Sequence, residues 1–118
     1  MQARIIVLSL LLAAAGTSAA RAHAFLDHAS PLVGSTVATA PHEVALTFTQ
    51  SLEAAFSSVQ VTDAKGARVD LGKAQISGNT MRVGIKAAGP GRYQVHWHAL
   101  SVDTHKTEGN FSFTVGGQ

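Results

Sequence analysis

Residues 93–113 read Tyr-Gln-Val-His-Trp-His-Ala-Leu-Ser-Val-Asp-Thr-His-Lys-Thr-Glu-Gly-Asn-Phe-Ser-Phe. Successive side chains of an extended chain point to opposite faces, so apolar residues at every second position mark a half-buried strand. Such positions are Tyr93, Val95, Trp97 and Ala99 before the polar centre, and Phe111, Phe113 and Val115 after it. The stretch therefore predicts two strands, at 93–99 and 110–115, on either side of a polar break.

The polar break holds the best candidate metal ligands of the chain, Asp103 and His105. Side chains two residues apart in an extended segment project on the same side and can hold one ion together. Segments between strands also commonly carry binding groups on a rigid scaffold. We therefore expect a metal site here, with a third ligand from another part of the chain.

The first residues of the chain have the pattern of a secretory signal peptide. Arg4 is followed by an apolar run, 5–15, and by small residues that end in Ala20-Arg21-Ala22. A basic start, a short hydrophobic centre and an A-x-A site are typical of such a leader. The apolar run is shorter than the roughly 20 residues that a membrane-spanning helix needs. We expect cleavage after Ala22, a leader of residues 1–22 and one mature domain, 23–118, in a bacterial periplasm.

Cleavage after Ala22 would make His23 the first residue of the mature protein, and this supplies the third ligand residue. A terminal His offers an α-amine and an imidazole to one metal ion, both of which must be deprotonated to bind. With Asp103 and His105, the predicted donors are two imidazoles, one amine and one carboxylate. This nitrogen-rich set favours Cu(II) in a tetragonal arrangement, while Zn(II) would use the same atoms in a tetrahedral one.

Composition excludes several other classes of function. The chain has no Cys, so disulfides, thiolate metal sites and thiol nucleophiles are excluded. Seven of the nine Lys and Arg residues remain after the leader, against seven Asp and Glu, so no nucleic-acid partner is expected. Met81 is the one Met in the mature chain, and its place in an alternating pattern puts it inside. A dedicated Cu(I) site, which prefers thioether or thiolate donors, is therefore not expected.

The pattern of short segments predicts an all-β fold with about seven strands. The predicted strands are 24–29, 43–49, 58–62, 67–71, 80–85, 93–99 and 110–115, with 58–62 and 67–71 as a hairpin. Segments 32–41 and 72–79 are predicted to be irregular, and 52–56 to be at most one helical turn. We expect a small antiparallel β-sandwich of the immunoglobulin-like kind, with a Greek-key barrel as the alternative architecture.

The remaining histidines are interpreted as surface residues. His96 and His98 fall on the outward face of their strand, where two-residue spacing could form a second metal pair, although exposed histidines on strands are usually only polar surface. His28 and His42 are expected to have no role in metal binding.

The sequence resembles the CopC family of periplasmic copper-binding proteins over essentially the whole mature chain. The resemblance lies in His23 after an A-x-A site, Ser30-Pro31, Leu46-Thr47-Phe48-Thr49, Gly91-Arg92-Tyr93 and above all Ser101-Val102-Asp103-Thr104-His105. It implies a cupredoxin-like or immunoglobulin-like sandwich that binds one Cu(II) through His23, Asp103 and His105. It also implies an inner-membrane partner of the CopD copper-transport type.

Two departures from the family pattern limit which oxidation state of copper and which ligands are expected. The Met-rich loop of some members is missing, so the chain resembles the form that binds Cu(II) only. Gln50 stands where some members have a Glu near the copper, so it is left out of the ligand set.

Two other classes of protein remain as alternatives. A copper ion held by an amino-terminal His also occurs in polysaccharide monooxygenases, but a mature chain of this length leaves little room for a broad substrate surface. The other alternative is an immunoglobulin-like interaction domain without metal. We expect a monomeric, soluble, non-enzymatic protein of copper homeostasis or resistance.

Overall fold

A computed structural model describes residues 25–117. Within this range the chain forms eight strands: β1 (Leu26–Ser30), β2 (Thr36–Val37), β3 (Glu43–Phe48), β4 (Ser58–Thr62), β5 (Asp70–Ser77), β6 (Thr80–Ile85), β7 (Gly91–Leu100) and β8 (Lys106–Val115). A 3-10 helix, Ala54–Phe56, precedes β4. The predicted leader, 1–22, and His23 lie outside the described residues. None of the helices in the described part is long and apolar enough to span a membrane.

The described strands form two four-stranded sheets packed face to face. The first sheet has the order β1-β3-β6-β5 and the second has the order β2-β8-β7-β4. All described pairings are antiparallel except that of β2 with β8. The structure confirms the predicted sandwich, whereas the barrel alternative is wrong because the two sheets of residues 25–117 stay separate.

The core lies between the sheets and is built from the predicted inward positions. Val44, Leu46 and Phe48 of β3 are at most 1% exposed, and the alternate residues of β6, β7 and β8 face them. Phe48 and Trp97 meet edge to face across the core, with ring centroids 5.0 Å apart. Met81 is fully buried, as expected. The alternating apolar patterns therefore predicted the interior of this sandwich correctly.

Three predicted connections differ from the structure. Residues 67–71 do not form a full hairpin with β4: after a single bridge between Thr62 and Arg68, the chain crosses to the first sheet. Residues 72–77, predicted as a loop, belong to β5. β2 lies inside the segment 32–41, which was predicted to be irregular.

The second and third of these differences have a common physical reason. β5 is the last strand of its sheet and leaves most of its side chains exposed, so it has little apolar alternation to detect. β2 is two residues long and its partner, β8, is far away in the sequence. Strands at sheet edges bury one side less than central strands, and a sequence pattern that depends on burial loses them.

Candidate metal centre

The predicted metal ligands lie in the turn that connects β7 to β8. Both strands have ten residues, and they pair continuously from Gly91–Val115 to Leu100–Lys106. The amide of Thr104 donates to the carbonyl of Ser101 at 2.8 Å, and the amide of Ser101 donates to the carbonyl of His105 at 3.1 Å. The segment is therefore a tight turn, and the expectation of an extended segment at 103–105 was wrong.

Thr104 allows this turn at a conformational cost. Its φ is 72°, in the left-handed region that a β-branched residue rarely adopts. Because φ reverses sign between the two candidate ligands, their side chains approach one another by the turn and not by strand alternation. Such strain persists when surrounding contacts fix the backbone, and it is often found at binding sites.

Asp103 and His105 are in direct contact. The His105 Nδ1 atom lies 3.2 Å from the Asp103 Oδ1 atom. The two side chains are 44% and 46% exposed, so solvent and ions can reach both. The structure thus brings together the two predicted ligands that lie within its described residues.

Ser101 organises this pair and was not predicted to have a role. Its side chain is fully buried, and its hydroxyl donates a hydrogen bond to Asp103 Oδ1. The Oγ atom of Ser101 also accepts from the amide of His105, at 3.3 Å. The hydroxyl of Ser101, and then the ring of His105, lower the pKa of Asp103. The feature of the sequence that could have indicated this role is a small polar residue at the end of an apolar strand.

The start of the described chain is tied to the segment that packs beside this turn. The amide of Phe25 donates to Thr49 Oγ1 at 2.9 Å, and the amide of Thr49 donates to the carbonyl of Phe25 at 2.9 Å. Two residues farther on, the carbonyl of Ser51 accepts from the amide of Val102 at 3.0 Å. The segment 49–51 therefore connects the beginning of β1 with the residue next to Asp103.

His28 and His42 lie in other surroundings. His28 contacts the neighbouring Asp27, with 2.9 Å between Nδ1 and Oδ2, and both side chains are well exposed. His42 precedes β3, and its carbonyl accepts from the amide of Ile85. Gln50 lies inside the connecting segment 49–51. Among the described residues, neither His28 nor His42 belongs to a cluster of three potential metal ligands.

His96 and His98 do face outward, and they have a neighbour that the sequence pattern did not reveal. Glu108 of β8 lies directly opposite His98 in the hairpin. The three side chains can place one ligand atom each within 4.8 Å of one another. This proximity follows from the strand register, which alternation alone does not determine.

The described residues form a small two-sheet β-sandwich with an exposed His–Asp pair at the end of a long hairpin, and imidazole and carboxylate are both donors that bind metal ions. The particular family follows from comparison with known sequences. The family model of the CopC domain matches residues 26–116, and the chain belongs to this family.

Individual proteins agree with this assignment. The chain is 32% identical over 112 residues to the protein YobA of Escherichia coli K12, with 92% of this chain and 90% of YobA covered. Among solved structures, it is similar to CopC from Methylosinus trichosporium OB3b, with 32% identity and a TM-score of 0.75 over 81% of this chain and 96% of that protein. It is also similar to PcoC, a methionine-rich copper resistance protein from E. coli, with 31% identity and a TM-score of 0.70 over 80% and 100%.

These comparisons confirm the family and the fold expected from the sequence, and they show a copper-related function. The methionine content is a point of contrast with PcoC, because this chain has two Met residues, Met1 and Met81. Of these, Met81 is fully buried.

Proposed function

We propose that the protein binds one Cu(II) ion as cargo through the α-amine and imidazole of His23, the carboxylate of Asp103 and the imidazole of His105. Signal-peptide cleavage after Ala22 creates the amine donor, and the mature domain, 23–118, acts in the periplasm as a monomer. Its role is binding and not catalysis: it sequesters copper or passes it to an inner-membrane protein of the CopD type.

The observation that carries this proposal is the contact between Asp103 and His105, 3.2 Å apart, in an exposed turn beside the segment that holds Phe25. His23 is two residues before Phe25, and two extended residues reach about 7 Å. The hydrogen bonds from Phe25 to Thr49 and from Val102 to Ser51 support an approach of the mature terminus to this turn.

The chemistry of the donors favours Cu(II). Imidazole, amine and carboxylate suit Cu(II), which also binds most tightly among the first-row divalent ions. The soft thioether that Cu(I) prefers is supplied within 23–118 by Met81 alone, and its burial in the core keeps it from the turn. The lowered pKa of Asp103 keeps its carboxylate charged to a more acidic pH than that of an ordinary Asp.

Calorimetric titration of Cu(II) into the processed chain tests the proposal. One ion per chain is expected, with paramagnetic resonance showing nitrogen couplings in a tetragonal site. A variant with one Gly added before His23 has no terminal amine at His23 and should bind at least tenfold more weakly, as should Asp103→Ala and His105→Ala. His28→Ala is the matched control and should bind as the wild type does. Equal binding by the Gly-extended chain would contradict the assignment of His23.

Transfer of copper to a membrane protein is tested in a separate experiment. Copper-loaded protein should lose its ion to membrane vesicles that contain a CopD-type protein faster than to vesicles without it. Equal rates would exclude a role in delivery and leave sequestration.

A further inference from the structure

The outer face of the second sheet carries a group of three potential ligands, His96, His98 and Glu108, called here the outer histidine cluster. His96 and His98 are alternate residues of β7, and Glu108 lies opposite His98 on β8. The Nε2 atoms of the two histidines are 3.2 Å apart. Glu108 Oε1 lies 3.2 Å from His98 Nδ1 and 3.9 Å from His96 Nε2.

From this arrangement we propose that the outer histidine cluster binds a Zn(II) ion at a site separate from the Asp103–His105 turn. Two imidazoles and one carboxylate are a common set of zinc ligands, with a water in the fourth position. Ligands bound at 2.0–2.1 Å in a tetrahedron lie about 3.3 Å from one another. The separation of 3.2 Å between the two Nε2 atoms is close to this distance, and the exposed Glu108 side chain can rotate to bring Oε1 closer than its present 3.9 Å from His96 Nε2.

Asn110 holds the His96 ring in the tautomer that can bind a metal ion through Nε2. The His96 Nδ1 atom is hydrogen-bonded to the Asn110 Oδ1 atom, which as a carbonyl oxygen can only accept. The proton of the neutral ring therefore stays on Nδ1, and Nε2 directs its lone pair toward the Nε2 atom of His98, 3.2 Å away. Metal-binding histidines usually have such a partner on their other ring nitrogen, which fixes the tautomer and the ring orientation.

The cluster is accessible and rests on a rigid base. The side chains of His96, His98 and Glu108 are 38%, 50% and 62% exposed. Trp97, between the two histidines, is buried in the core and holds that part of β7 in place. The pair Leu100–Lys106 lies between the cluster and the Asp103–His105 turn along the hairpin, so the two sets of ligands are separate.

Zinc titration of a double variant isolates the outer histidine cluster. The secreted chain carrying Asp103→Ala and His105→Ala should bind one Zn(II) per chain, measured by calorimetry. Adding His96→Ala and His98→Ala should lower the affinity at least tenfold, whereas adding His28→Ala and His42→Ala, the matched control, should not change it. No zinc binding by the double variant, or binding that survives the loss of His96 and His98, would overturn the proposal.

A second measurement uses the wild-type chain and does not depend on the folding of any variant. Zinc should shift the Nε2 resonance of His96 in nitrogen-15 spectra and leave its Nδ1 protonated. Removing the supporting partner by Asn110→Ala should weaken zinc binding by about 10–100-fold, while Ser112→Ala, at the next outward position of β8, should have no effect. An unchanged His96 spectrum at saturating zinc would exclude His96 as a ligand. Neither experiment depends on the Cu(II) proposal.

Discussion

At the scale of single residues, the turn between β7 and β8 depends on Ser101 as much as on the two predicted ligands. The Ser101 hydroxyl is buried, donates to the carboxylate of Asp103 and accepts from the amide of His105. Side chains hydrogen-bonded to metal ligands orient those ligands and tune their charge. Ser101 therefore acts on the candidate site through Asp103 and not by direct contact with an ion.

Replacing Ser101 by Ala should separate these two effects. Loss of the hydroxyl removes the main cause of the lowered pKa of Asp103, so this pKa should rise toward its ordinary value, about 3.9. Asp103 would still be charged at pH 7, so any weakening of Cu(II) binding there comes from lost orientation, and we expect about 10–100-fold. Carbon-13 titration of the metal-free protein measures the pKa, and calorimetry measures the affinity.

Ser112→Ala, on the outward face of β8, is the control for Ser101→Ala. It should leave both the pKa of Asp103 and the Cu(II) affinity unchanged. If Ser101→Ala also left the pKa of Asp103 unchanged, the hydrogen bond between these residues would not exist in solution.

At the scale of strands, the hairpin of β7 and β8 fits the core because Gly109 lies opposite Trp97. A Cβ atom at residue 109 would lie 2.6 Å from the Cζ2 atom of the Trp97 ring. The absence of a side chain at Gly109 therefore leaves room for the indole ring of Trp97 in the core. The same hairpin carries both candidate sites, so its packing matters for function as well as for stability.

The substitution Gly109→Ala should lower the free energy of unfolding by about 1–3 kcal/mol, the usual cost of overpacking a core. Urea unfolding measures this change, and Trp97, the one Trp of the sequence, reports it by fluorescence. Gly89→Ala is the matched control, because no atom lies within 4 Å of a Cβ at that position. Equal stability of the two variants would mean that β8 moves away from Trp97 at no cost.

The crossing from the second sheet to the first depends on Asp70, the first residue of β5. Its Oδ1 atom accepts from the amide of the buried Val61 at 3.0 Å, and both carboxylate oxygens accept from Arg68 at 2.7–2.8 Å. The hydrogen bond from Arg68, followed by the one from Val61, lowers the pKa of Asp70. The side chain is 5% exposed, so water does not replace these partners.

The substitution Asp70→Ala should cost about 1–3 kcal/mol in the free energy of unfolding, because it leaves the amide of Val61 without its acceptor. Asp70→Asn keeps an acceptor oxygen and should cost less. Since the folded pKa is lowered, the contribution of Asp70 is fully present above the unfolded pKa, about 3.9, and is lost as pH falls through the folded value. Urea unfolding between pH 7 and 2 should therefore show a shallower acid loss in Asp70→Asn than in the wild type.

The central strands of the two sheets were predictable from the sequence, whereas strand partners distant along the chain were not. β3, β6, β7 and the second half of β8 were predicted because each buries one face, and burial imposes alternation. The contact between Asp103 and His105 was predicted because the two residues are close in sequence. Glu108 was not, because its position opposite His98 depends on a register that the turn sets. The crossing at Asp70 was missed because alternation does not tell which sheet a strand joins.

At the scale of the whole molecule, the proposed Cu(II) site would join the two sheets. β1, which follows Phe25, belongs to the first sheet, and the Asp103–His105 turn belongs to the second. Hydrogen bonds of the segment 51–53 to Leu100 and Val102 already link the region after β3 to the end of β7. An ion held by His23 and by this turn would add a second connection at the same end of the sandwich.

Copper should therefore stabilise the processed chain against thermal unfolding. A ligand that binds only the folded state adds about 2.7 kcal/mol when its free concentration is 100 times Kd. For a domain of this size, each 1 kcal/mol raises Tm by about 4–8 °C, so the expected rise is roughly 10–20 °C. Calorimetric scans with and without Cu(II) measure it, and a chelator should reverse it. The chain with one Gly before His23 should show a much smaller rise; the same rise in both forms would mean that copper does not join the terminus to the turn.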